Sequence, residues 1–290
     1  MIVNPISYPG NKNKLLSQII PELPNNCSQI VEIFCGSGVV SINSNINNIL
    51  LNDISIHAID LLKYFYTTSF EDIISKIEDI ILEYKLTYTY KEGKANYIEL
   101  KHEGLSNYNR EGYQKLKNDY NKQNDINKLI VLLIYGFNHY IRFNNDNQFN
   151  VPVGKVDLSS SIHKNLKLFV NNIKYKAISF SNKDFREPSL YLDQKAVYYF
   201  DPPYLITNAP YNSNWNIDDE KDLLNLLDDL NDKGIKFVLS NVILSNGKEN
   251  SLLKEWSKKY TTLILKRQYR NANYQKKNIT DTIEVLIKNY

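Results

Sequence analysis

Three short apolar runs, each broken by a glycine turn, an acid or a proline pair, fix what this chain can fold into. Gln29-Ile30-Val31-Glu32-Ile33-Phe34 runs into Cys35-Gly36-Ser37-Gly38, Ile49-Leu50-Leu51 into Asn52-Asp53, and Ala196-Val197-Tyr198-Tyr199-Phe200 into Asp201-Pro202-Pro203-Tyr204. An apolar run this short before a turn reads as a strand buried on both faces, as in a parallel sheet. Helical periodicity lies between the runs: residues 39–45, 54–66, the isoleucine stripe Ile73, Ile74, Ile77, Ile80 and Ile81, the apolar 129–137, and 160–173. The pattern then returns as strand 177–180, strand 196–200, a leucine-striped helix 218–231 ending near Gly234, strand 236–241, helix 248–259, and strands 261–265 and 282–287. Strands alternating with helices predict an α/β fold, and open α/β sheets bind ligands at the carboxyl ends of their strands.

The corner after the third run suits chemistry on an exocyclic amine. Such a nitrogen on a nucleobase delocalises its lone pair into the ring and is a poor nucleophile. The Asp201 carboxylate can accept one N–H and the Pro202 carbonyl the other, drawing the nitrogen toward tetrahedral geometry. Pro202 and Pro203 stiffen the loop because their φ angles are fixed, and Tyr204 offers a flat face for a base. The plainer reading is a strand-end turn with a capping Asp.

The unit of strand, glycine turn, helix and strand ending at Asp53 is the kind that binds adenosine-bearing ligands. Gly36, Ser37 and Gly38 let backbone approach a ligand, and Asp53 can accept from ribose hydroxyls. Ser41 stands where a dinucleotide fingerprint wants a third small glycine, and no Gly-Lys-Ser/Thr phosphate loop follows. Glu32 disfavours a phosphate neighbour and tolerates a cation such as a sulfonium. The turn therefore favours S-adenosylmethionine over a dinucleotide; the plainer reading is an ordinary strand-to-helix turn. Asp184 and Phe185, after the 177–180 strand, could hold the adenine ring, or simply make a turn.

Residues 85–124 are polar and carry Tyr88, Tyr90, Tyr97, Tyr108, Tyr113 and Tyr120. Tyrosines among basic residues can pack on nucleic acid, but most of these read as half-buried residues of a small helical subdomain. Arg142 and Asn144 sit in a polar loop and are residue types that read guanine, adenine or phosphate. Lys266-Arg267-Gln268-Tyr269-Arg270 with Lys276 and Lys277 is either a phosphate-facing loop or a solvated hairpin.

The net charge of +3 permits a polyanionic partner without demanding one. No apolar run approaches the ~20 residues of a membrane span, and Met1-Ile2-Val3-Asn4-Pro5 lacks a signal peptide's regions. Two cysteines, Cys27 and Cys35, make no disulfide framework, so a reducing cytoplasm is expected. His57, His102, His139 and His163 show no metal-ligand spacing, and no metal site is expected.

Taken in order, these segments resemble the D12-class, Dam-like DNA adenine-N6 methyltransferases. The likeness rests on Tyr8-Pro9-Gly10-Asn11-Lys12, on Phe34-Cys35-Gly36-Ser37-Gly38, on Asn52-Asp53, on Arg142-Phe143-Asn144 with Phe149-Asn150-Val151-Pro152-Val153-Gly154, on Asp201-Pro202-Pro203-Tyr204 and on Leu239-Ser240-Asn241. It implies a Rossmann-like S-adenosylmethionine-dependent methyltransferase sheet, residues 1–69 and 163–290, with an inserted, mainly helical target-recognition domain over 70–162. It also implies roles. Tyr8, Lys12, Phe34, Gly36, Gly38 and Asp53 would line the cofactor pocket, with Gly10, Glu32, Ser37 and Asp201 beside them, and Asp201, Pro202 and Tyr204 would hold the target adenine. Phe137, Asn138, Arg142 and Pro152 match positions that touch DNA. Asn11 departs from the usual second glycine. Ser7, Tyr140 and Val156 replace residues that serve recognition in the family's type member, so an adenine target is expected and GATC is only the first sequence to try.

The expected function is methyl transfer to N6 of an adenine flipped out of double-stranded DNA, without a covalent enzyme intermediate. N4-cytosine methylation and an inactive DNA-binding module are the alternatives. A monomer is expected, and a cognate restriction endonuclease as companion is left open.

Overall fold

A computed structural model describes residues 1–4, 10–100, 104–207, 215–266 and 282–290, with only the backbone described at 98–100. By internal contact the chain divides into two compact units, residues 12–55 with 177–290, and residues 1–11 with 56–176.

Among the described residues the first unit is built on one eight-stranded sheet in the order β3-β2-β1-β4-β5-β8-β7, with β6 paired to β5. The strands are β1 (Ile30–Glu32), β2 (Asn48–Asn52), β3 (Ala177–Ser181), β4 (Val197–Phe200), β5 (Lys236–Ser245), β6 (Lys248–Glu249), β7 (Thr261–Leu265) and β8 (Ile283–Lys288). From β3 through β5 neighbouring strands run parallel; β8 is antiparallel to both β5 and β7. Strand order reverses between β1 and β4, and a crevice at the carboxyl ends of the strands is the consequence of such a reversal. Register sets Glu32 opposite both Leu51 and Tyr199. The ends of β1, β2 and β4 therefore deliver the glycine turn, Asp53 and Asp201 to one rim. The central strand β4 is buried throughout, which is why its sequence is an uninterrupted apolar run. Leu223, Leu224, Leu227 and Leu230 of α9 (Ile217–Asp232) join Tyr198, Phe200, Phe237 and Leu239 in one core.

Two elements differ from expectation. Strand β5 continues to Ser245 and folds back into β6, because Asn246 and Gly247 adopt φ of 51° and 77°, the left-handed pair that a tight hairpin turn requires. The helix expected over 248–259 therefore begins only at Ser251, where the Asn250 side chain accepts from Leu253 N at 3.0 Å. Its regular turns form α10 (Ser251–Trp256), followed by a 3-10 turn.

The second unit is helical: α3 (Ile56–Thr67), α4 (Phe70–Glu83), α5 (Thr89–Glu92), α6 (Ser106–Gln123), α7 (Ile126–Tyr135) and α8 (Ser160–Ile173). Helix α7 is its axis, buried from Leu129 to Tyr135 and started by Asp125, whose carboxylate accepts from Asn127 N at 2.7 Å and Lys128 N at 3.2 Å. Helices α3, α4 and α6 pack on it, and α8 packs on α3 and α4. That shared packing is why the unit reaches from Ile56 to Lys176 and takes in helices outside 70–162. The polar, tyrosine-rich stretch forms the long helix α6, with Tyr113 and Tyr120 inside the core and Tyr108 outside it.

Candidate active site

The glycine turn is held open by its own geometry. Gly36 and Gly38 sit at φ of 47° and 66°, and a Cβ on Gly38 would come 3.2 Å from Leu51 Cδ1. Both the torsion and the crowding call for glycine. Asp53 props the turn from behind, accepting from Gly36 N through Oδ2 and from Ser55 N through Oδ1, each at 2.8 Å. Its neighbour Asn52 binds the strand ends together. Its amide donates to the carbonyls of Ile33 and Lys183, and its oxygen accepts from Lys183 N, all at 3.0 Å.

Glu32 is buried beneath this turn and accepts from Ser41 N, at the start of α2 (Val39–Asn43), at 2.9 Å. Burial pushes its carboxyl up to about 8, with the nearby Asp201 and Asp53 adding repulsion. Burial also raises Asp53. Three carboxyl groups at one rim, each costly to ionise there, form a site suited to a cation and hostile to phosphate.

At the end of β4, Lys12 and Asp201 form a buried ion pair. The Lys12 ammonium lies 2.6 Å from Asp201 Oδ1 and 2.7 Å from Oδ2, and it also reaches the Tyr204 hydroxyl. Tyr204 donates to Asp201 Oδ1 at 2.9 Å and lies 3.3 Å from Glu284 Oε1; Glu284 is 3.5 Å from the ammonium. Lys12 also stands 5.0 Å from the Tyr204 ring centroid while bonded to its hydroxyl. The Asp201 side chain keeps 18% of its surface exposed, against 2% for Lys12 and 1% for Glu284. Among the three charged side chains the carboxylate of Asp201 is thus the most exposed. Burial raises Asp201 and Glu284 adds to that, while Lys12 opposes them. Pro202 is buried and Pro203 half-buried.

An aromatic wall stands beside the corner. Phe34, Phe185 and Trp215 pack with centroids 5.4, 5.8 and 5.5 Å apart. Trp215 is fixed by the buried Glu220, which accepts from its indole N–H at 2.8 Å and from the Asn250 amide at 2.8 Å. Phe185 lies within this wall with the Arg186 guanidinium 4.3 Å over its ring. Asp184 accepts from Arg186 N at 2.9 Å and pairs with its guanidinium. In this state Asp184 and Phe185 are engaged with Arg186 and the wall.

In the helical unit, residues 137–154 bring the other candidate residues together. Phe137 and Asn138 are exposed, with Asn138 at φ of 54°. Arg142 is held by Asn150, donating from Nε to the side-chain oxygen at 2.7 Å and from Nη2 to the main-chain oxygen at 2.8 Å. The Asn144 side chain builds the turn beyond it, accepting from Asp146 N at 3.1 Å and Gln148 N at 2.8 Å. Phe143 pairs with Phe149 across this loop and stacks on His57 at 3.7 Å. The Pro152 carbonyl accepts from Phe137 N at 2.9 Å. Gly10, at φ of 81°, belongs to this unit. Tyr8 and the basic loop from Arg267 through Lys277 lie outside the described residues.

The residues that sequence reading passed over are Glu284, Trp215, Glu220 and Asn150. Glu284 carried a visible signal: it is the lone acid in the apolar run Ile283-Glu284-Val285-Leu286-Ile287. Among the described residues no cluster of His, Cys, Asp and Glu could hold a metal ion, and no helix is long and apolar enough to cross a membrane.

Comparison with known proteins places this geometry in a family. The chain is 38% identical over its whole length to the type II methyltransferase M.FokI of Planomicrobium okeanokoites and 34% identical to the modification methylase StsI of Streptococcus sanguinis, spanning 43% of each of those proteins. It is 23% identical to the DNA adenine methylase of Escherichia coli over 98% of the chain and 94% of that protein. The family model for D12 class N6 adenine-specific DNA methyltransferases matches residues 8–272, and the chain belongs to that family.

Proposed function

We propose that the chain transfers a methyl group from S-adenosylmethionine to N6 of an adenine flipped out of double-stranded DNA. The observation that carries this reading is the Asp201 carboxylate, reachable at the end of β4 on the same rim as a buried acid cluster. Bound at that rim, S-adenosylmethionine supplies a methyl on a cationic sulfur: the amine's pair forms the N–C bond, the C–S bond breaks with its pair on sulfur, and the surplus proton leaves nitrogen.

The chain's own residues do the rest. Gly36, Ser37 and Gly38 bring backbone to the cofactor, and Asp53 keeps that turn open. Glu32, which burial keeps protonated near neutral pH, ionises as the sulfonium binds and so compensates its charge. Each oxygen of a carboxylate has two lone-pair sites. Lys12 and Tyr204 fill those of Asp201 Oδ1, whereas among the described residues Oδ2 accepts from Lys12 alone. Oδ2 is therefore the atom that accepts N6–H, with the Pro202 carbonyl taking the second proton and Tyr204 stacking beneath the base. Positioning and a preorganised field account for most of the rate. Extruding the adenine costs a few kcal/mol.

The helical unit, with Phe137, Asn138, Arg142, Asn144 and Pro152, serves recognition. Arg142 keeps its Nη1 edge for guanine or phosphate, because Asn150 holds the other edge. Relatives bearing the names type II methyltransferase and modification methylase support a role beside a restriction endonuclease, acting on DNA in the cytoplasm.

The test is tritium transfer from S-adenosylmethionine to plasmid DNA, followed by digestion to nucleosides. Label in N6-methyladenine is expected. Label in N4-methylcytosine would reassign the base, and DNA binding without any label would leave an inactive module.

A further inference from the structure

Three charge-bearing side chains meet at the corner: Lys12 brings an ammonium group, and Asp201 and Glu284 each bring a carboxyl group to it. Lys12 is placed directly on both Asp201 oxygens, at 2.6 and 2.7 Å. Alone, that contact would neutralise the carboxylate just where an amine becomes cationic. Glu284 sits on the buried side of the same ammonium, 3.5 Å away and 1% exposed, and it also faces the Tyr204 hydroxyl at 3.3 Å. An acid in the middle of a core strand is costly unless it is paired. Here the paired cation is the one that also touches Asp201.

We infer that Glu284 is a positioning residue for methyl transfer: it takes up the charge of Lys12, so that Asp201 presents its own charge to the amine. This rests on the methyltransferase reading above. Lys12 then acts as a clamp with two anions. It fixes the orientation of Asp201 through Oδ1 and Oδ2, and Glu284 keeps that clamp from cancelling the charge it orients. The balance matters most as the N–C bond forms, because nitrogen holds an extra proton and a positive charge until that proton leaves.

The experiment compares Glu284→Gln, Glu284→Asp, Lys12→Met and the Lys12→Met/Glu284→Gln double variant in single-turnover methyl transfer to plasmid DNA. Binding of S-adenosylmethionine and of DNA is measured in parallel. Glu284→Gln keeps shape and loses charge, and a 10- to 100-fold slower transfer with both affinities within threefold of wild type is expected. Glu284→Asp keeps the charge and should retain at least a third of the wild-type rate. The double variant should be no slower than Lys12→Met alone, since Glu284 acts on Asp201 through that ammonium. The acid limb of the pH–rate profile should also move to lower pH in Glu284→Gln, because Asp201 has lost a repelling neighbour.

A wild-type rate in Glu284→Gln, equal losses in the Asp and Gln variants, or losses that multiply in the double variant would overturn the inference. If Glu284→Gln fails to fold, the Asp variant and the double variant decide by the same criteria. Absence of transfer by the wild type would remove the underlying reading instead.

Discussion

Glu32 gives the fold a stability that depends on pH in a calculable direction. Its carboxyl is pushed up to about 8 by burial, whereas in the unfolded chain it titrates as an ordinary glutamate at roughly 4.3. Between those values the folded state holds a proton that the unfolded state has released. Stability from this group is therefore fully present below the unfolded value and is lost as pH rises through the folded one. At 1.36 kcal/mol per pH unit the linkage has a ceiling of about 5 kcal/mol. The perturbation is Glu32→Gln, which keeps the acceptor for Ser41 N but cannot ionise. Urea unfolding of both proteins at pH 5.5, 7.0 and 8.5 isolates the term, since every other group titrates in both. The wild type should lose stability relative to the Gln variant by several kcal/mol across that range, and added S-adenosylmethionine should recover much of the loss. A wild-type-minus-variant difference that stays flat with pH would refute the reasoning.

Other outcomes follow from the same geometry. Asp201→Ala should lower single-turnover methyl transfer by at least 100-fold, since it removes the proposed N6–H acceptor. Gly154→Ala should destabilise the helical unit by about 2–3 kcal/mol, because its Cβ would sit 2.7 Å from the Gly136 carbonyl oxygen; a melting curve reports it. Asn52→Ala leaves three main-chain groups without partners and should cost about 2–4 kcal/mol by the same assay. Asn150→Ala removes one of the two bonds that hold Arg142, leaving the main-chain one, and should relax sequence preference, read by mapping methylated adenines in a host genome.

The sheet was legible because its strands are short, apolar and interrupted by residues with fixed torsional habits. Gly36 and Gly38 announced a turn that only glycine fits, and the run from Ala196 to Phe200 announced a central strand. Where polar residues lie inside a helix the signal faded. Helix α6 hides its buried stripe of Tyr113, Leu116 and Tyr120 among lysines and asparagines. Long-range pairing left even less trace. That Asn52 ties three chain segments, that Glu284 completes a group begun by Lys12, and that Glu220 fixes Trp215 are facts of topology, not of spacing. The Asn246-Gly247 pair is a hairpin signal that the reading of a helix over 248–259 left unused.

The most direct measurement is a crystal structure of the chain with duplex DNA and an unreactive S-adenosylmethionine analogue. Asp201 Oδ2 should lie within hydrogen-bond distance of N6 of an extruded adenine, with the analogue's sulfur-equivalent atom on the far side of that nitrogen. An adenine bound away from the β4 corner, or a corner closed to any base, would contradict the account.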